Sequence, residues 1–143
     1  MRSFTKYLAG AALLAAVTVH AQGTATDAPK PVTTKPAAVN LSVPEMKERT
    51  RTYDGQILDD SRHMAHLRDV ARNQKDVIKL TCVNDKLVEL KAQMNLFDAS
   101  RQRFTAAVDG GATADAARPS YVELADIADK VKTLRGEADT CIG

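Results

Sequence analysis

The sequence predicts an all-α protein: an antiparallel, coiled-coil-like helical hairpin with a further helix upstream, preceded by a disordered tether rich in Pro, Thr and Ala. Three observations predict it. Apolar residues recur at alternating spacings of three and four through Leu80, Val83, Leu87, Leu90, Met94, Phe97, Phe104 and Val108, and again through Leu124, Ile127, Val131, Leu134 and Ala138. The stretch "DGGAT", residues 109–113, separates these two seams with glycines suited to the left-handed conformation that ends a helix. Between Gln56 and Val108 no Pro or Gly interrupts the helical pattern.

The chain opens with "MRSFTKYLAGAALLAAVTVHAQG". Arg2 and Lys6 supply a positive start, Leu8 to Val19 an apolar run, and Val19 and Ala21 the small residues at the −3 and −1 positions of a cleavage site. Residues 1–21 therefore read as a secretory signal peptide cut after Ala21, and the run is shorter than the roughly 20 apolar residues of a membrane span. The expected location is periplasmic or secreted, with no span in the mature chain. Residues 22–41 carry Pro29, Pro31 and Pro36 among Thr, Ala and Val, a composition that offers no face to bury and reads as a disordered linker.

Charge narrows the partners. The chain holds 20 Lys and Arg against 18 Asp and Glu, and the excess is Arg2 and Lys6 of the signal, so what remains after cleavage is balanced. With no Trp, three Tyr and three Phe, the sequence has neither the basic patch nor the stacking platform of a nucleic-acid binder.

The helical domain spans residues 42–143. Ser42-Val-Pro-Glu45 has the spacing of a capping box, with Pro44 in the first turn, where its missing N–H is unpaired anyway. Gly55 is a weak point in the upstream helix, at a cost of about 1 kcal/mol against alanine. Beyond it Met64, Leu67, Ala71, Gln74, Ile78 and Cys82 follow one another on one helical face, and the Leu80-to-Val108 seam then takes over with Arg101 as its charged position. The last helix can start at Thr113 or, after Pro119, at the second capping box Ser120-Tyr-Val-Glu123.

Two cysteines, Cys82 and Cys141, flank "DGGAT" with their midpoint inside it. In an antiparallel hairpin of equal-rise helices they are level, and in an oxidising compartment they read as a disulfide closing its open end. Against this, Cys82 lies roughly 110° from the centre of the Leu80-to-Val108 stripe. An intermolecular bridge and free thiols are the alternatives.

The runs "KDVIKLTCVNDKL" and terminal "CIG" resemble those of a group of exported bacterial helical proteins with two cysteines and no assigned activity. The resemblance covers residues 74–96 and 138–143. It implies a secreted two-cysteine helical architecture and supplies no activity, catalytic residue or cofactor to carry over.

His63 and His66, in "HMAH", are the histidines left after the signal. Their i, i+3 spacing on a helix, with Asp59 and Asp60 a turn earlier, is half of a transition-metal site, although two imidazoles do not close one. Asp126 and Asp129 read as a polar helix face beside Lys130 and Lys132. "DGGA" lacks the strand and lysine of a phosphate loop.

Non-enzymatic interaction is thus the first function class. The Met64-to-Cys82 and Leu80-to-Val108 stripes face different ways and the last helix can cover only one well, which leaves the other for a protein partner or self-association. A periplasmic holdase chaperone is the second class and a metal-binding periplasmic protein the third. An enzyme is the least expected, because a narrow hairpin supplies little concavity.

Overall fold

The computed structural model describes residues 40–143, which form three α-helices running up, down and up: α1 (Val43–Asn73), α2 (Val77–Asp109) and α3 (Ala114–Ile142). The expected signal peptide, 1–21, and the tether through residue 39 lie outside the described residues. Leu41, inside the expected tether, packs half-buried against the core.

Helix α1 begins as its sequence predicts. The Ser42 N–H and hydroxyl both donate to Oε2 of Glu45, at 2.8 and 2.6 Å, and these bonds hold the Glu45 carboxyl below its ordinary pKa. Gly55 does not interrupt the helix; it faces solvent with no neighbouring atom near its missing side chain. The buried positions Met46, Thr50, Ile57, Asp60, Met64, Leu67 and Ala71, with half-buried Tyr53 among them, repeat at spacings of four and three along the whole helix.

The Met64-to-Cys82 face does not continue through Gln74 and Ile78, as the sequence suggested. The chain turns back at residues 74–76, so Ile78 is exposed and Cys82 belongs to the next helix. The turn is a Schellman motif. Lys75 adopts the left-handed conformation (φ 55°), its N–H donates to Arg72 O at 3.0 Å, and the Asp76 N–H donates to Ala71 O at 3.2 Å. Asp76 then caps α2, its Oδ1 accepting from the N–H groups of Ile78 and Lys79 at 3.1 and 3.0 Å. The same motif ends α2, where Gly111 (φ 83°) takes the left-handed position and the Ala112 N–H donates to Ala107 O. Gly110 keeps a negative φ, so only the second glycine takes the left-handed conformation, while a Cβ at Gly110 would stand 3.2 Å from Ala106 O.

Of the two possible starts for α3, the chain uses the earlier one: Thr113 caps it, its hydroxyl oxygen accepting from the Ala116 N–H at 3.4 Å, and Pro119 lies inside the helix. This helix carries the most buried positions, among them Ala117, Tyr121, Leu124, Ile127, Ala128, Val131, Leu134 and Ala138, because it serves both neighbours. Antiparallel α2 packs against one side and parallel α1 against another, and the α1 and α2 seams close over it. The stripe expected to lack a cover is therefore covered, by the refolding of α1 onto the hairpin.

Candidate functional site

The cysteines close the end of the bundle remote from the Gly110-Gly111 turn. Their sulfurs stand at bonding distance, 1.99 Å, with Cα atoms 5.8 Å apart across 59 residues of sequence, and no other cysteine is present among the described residues. The matched heights inferred from the sequence hold, as do those of two further pairs across α2 and α3. Lys86 Nζ meets Glu137 Oε2 at 2.6 Å and Arg103 meets Glu123 Oε2 at 2.7 Å. Glu137 raises the Lys86 pKa, and the hydrogen bond from Arg103 lowers that of Glu123. At the same end as the cysteines, Lys79 Nζ donates to Ile142 O at 2.7 Å, a cation on the carbonyl end of α3.

The angular offset of Cys82 has a packing explanation. The fully buried line of α2 is Val83, Leu90, Phe97 and Phe104; Leu87, Met94 and Val108 lie to one side of it, half-buried. Met94 lines a cavity with Asp54, Ile57 and Leu58 of α1. Cys82, Lys86 and Arg103, on the other side, reach α3. The seam is shared by two neighbours, so an angle measured from its midline misplaces a residue that faces only one of them.

His63 and His66 fall on α1 as expected but do different things. His63 is half-buried and shares a 2.5 Å hydrogen bond between Nε2 and Oδ1 of Asp139 on α3. His66 is exposed. Among the described residues no three of His, Cys, Asp and Glu converge to hold a metal ion. Among the described residues a cleft of about 390 Å³ opens between α1 and α3, lined by Tyr53, Asp59, Asp60, Asp129, Lys132 and Arg135 among others. Its polar groups serve one another. Buried Asp60 accepts from Arg135 Nη1 at 2.8 Å, and the Tyr53 hydroxyl lies 3.4 Å from that of Tyr121, where burial first, and then this hydrogen bond, push its pKa up to about 12. The cleft sets no nucleophile against a base, and its chemistry is that of a cross-link between helices.

The sequence did not single out Asp60, Arg135, Tyr53 or Asp139 as partners. Asp60 and Tyr53 do occupy seam spacings of α1, and that was the available signal. Nor did it single out the solvent face of α2. On the solvent side of α2, Val88 (71% exposed) and exposed Ala92 and Ala99 stand opposite the buried line with Leu96 (51%) on their flank toward Arg103, and Ile78 (84%) and Val77 (73%) lie exposed at the start of the helix. No described helix is long and apolar enough to cross a membrane. The chain matches no family model, no curated protein and no solved structure.

Proposed function

We propose that this is an exported, non-enzymatic helical interaction module of the periplasm or cell envelope, which binds protein through the outer face of α2. The observation that carries the reading is the exposure of Val88 and Leu96, with Ala92 and Ala99 between and beside them, on the solvent side of α2. A helix with an apolar line on both sides has one more surface to cover than the bundle provides. This replaces the uncovered α1 stripe as the reason for expecting a partner. Export is supported by the signal-like residues 1–21 and by a cysteine pair placed to form a disulfide, the bond an oxidising compartment permits. The resemblance of "CVNDKL" and "CIG" to exported two-cysteine helical proteins points the same way.

The test is capture from an envelope extract with the mature chain and with a Val88→Glu, Leu96→Glu variant. Capture of a specific protein, or of the chain itself, by the wild type and its loss in the variant supports the reading. A broad set of unfolded clients moves the protein to the holdase class, and equal capture by wild type and variant removes α2 from the account.

A further inference from the structure

We infer that the occupant of the α2 outer face is a second copy of this chain, paired through α2 in antiparallel orientation; this rests on the interaction-module reading and names its partner. The argument is one of charge register. On a helical projection, Asp85 and Arg103 fall within the Val88-Ala92-Leu96-Ala99 face, between Ala92 and Leu96, and Lys91 and Asp98 lie along its edge beyond Val88. A two-fold axis crossing α2 beside Met94 and Asn95 brings Val88 against the partner's Ala99 and Ala92 against the partner's Leu96. The same register sets Asp85 opposite the partner's Arg103 and Lys91 opposite the partner's Asp98. One register thus satisfies the apolar contacts, the charges within the face and those along the Lys91 edge.

Because the pairing is isologous, each contact occurs twice. The small side chains of Ala92 and Ala99 allow the two helices to approach closely, and Val88 and Leu96 supply apolar area. Among the described residues Asp85 and Lys91 make no ion pair within their own chain, whereas Arg103 and Asp98 do, with Glu123 and Arg101. Those two pairs are exposed and weakly held, so each can admit a second partner. The parallel alternative sets Asp85 and Arg103, which lie near the midline of the face, beside their own copies, like charge against like charge, and is disfavoured by the same residues.

The experiment is sedimentation equilibrium of the purified chain at low salt over a range of concentrations, with circular dichroism to confirm that each variant is folded. The wild type should rise from a monomer mass toward twice that value, without a covalent dimer on a non-reducing gel. Val88→Lys should abolish the rise. Lys91→Asp and Asp98→Lys should each weaken association about tenfold, and combining them should restore it, since the pair is then reversed but intact. A wild type that stays monomeric throughout, a dimer indifferent to Val88→Lys, or a double variant no better than the singles overturns the proposal. Capture of a different envelope protein through the same face, by a chain that stays monomeric, would remove self-association and leave the interaction module standing.

Discussion

Helix α3 meets its two neighbours by different means. Toward α2 it presents an antiparallel apolar seam, Leu90, Phe97 and Phe104 among its buried residues, stapled at the far end by the cysteine pair. Toward α1 the partners run parallel, and a series of polar cross-links lies along the contact: Tyr53 to Tyr121, Asp60 to Arg135 and His63 to Asp139. The buried line of α1 also contains Thr50, whose hydroxyl has no hydrogen-bond partner. The difference teaches how the bundle divides its tasks. The α2–α3 hairpin carries its polar links, Lys86 to Glu137 and Arg103 to Glu123, at the flanks of its seam and adds a covalent tie, whereas the α1 seam holds polar residues, Thr50, Tyr53 and Asp60, within its own line.

This contrast can be broken or sharpened by substitution. The largest effect should come from Cys141→Ser, which frees the open end of the hairpin. On the chain-entropy model a loop of 59 residues is worth roughly 4 kcal/mol, so the variant should unfold at a clearly lower denaturant midpoint while keeping its helical circular dichroism in the cold. Asp60→Ala should cost about 1–2 kcal/mol, at the low end for a charged hydrogen bond because half-exposed Arg135 regains water; hydrogen exchange should show the loss mainly in α1. Thr50→Val should stabilise by about 1 kcal/mol, since it removes a buried hydroxyl that pairs with nothing, and a lower midpoint would show that the hydroxyl is satisfied in solution.

The smallest effect is a titration. The Tyr53 phenol is raised from 10.0 to about 12 in the fold, so its contribution is fully present below pH 10 and is lost as pH rises toward 12. Spectrophotometric titration should find one tyrosine ionising late, and Tyr53→Phe should make stability less sensitive to alkali in that window. An ordinary titration for all tyrosines would mean that α1 does not hold Tyr53 against α3.

Much of the hairpin was legible because its code is local and apolar. The Leu80-to-Val108 and Leu124-to-Cys141 spacings, the glycine turn and the Ser42 box each name their structure without reference to anything distant. The reversal at residues 74–76 was not legible in the same way. Its left-handed position is filled by Lys75 rather than glycine, and the spacing Ala71, Gln74, Ile78 runs smoothly across the break. The available sign was Asp76 ahead of Val77-Ile78, a helix cap in mid-pattern. The α1 seam was hidden by its polar members, since Thr50, Tyr53 and Asp60 read as surface until a partner is known.

The sequence by itself determined that the chain is helical, where its apolar seams lie and that its cysteines stand level, because helix period and equal rise per residue are properties of the backbone. Tertiary structure decided which way each seam faces and what the polar residues on it do. A seam shared between two neighbours has flanks of different fate, so Cys82 reaches α3 while Met94 lies on the α1 side; Asp60 is buried only because Arg135, 75 residues away along the chain, arrives beside it. That pairing depends on the turn at Lys75, a conformation of low intrinsic preference that the packing of α1 on α3 holds in place.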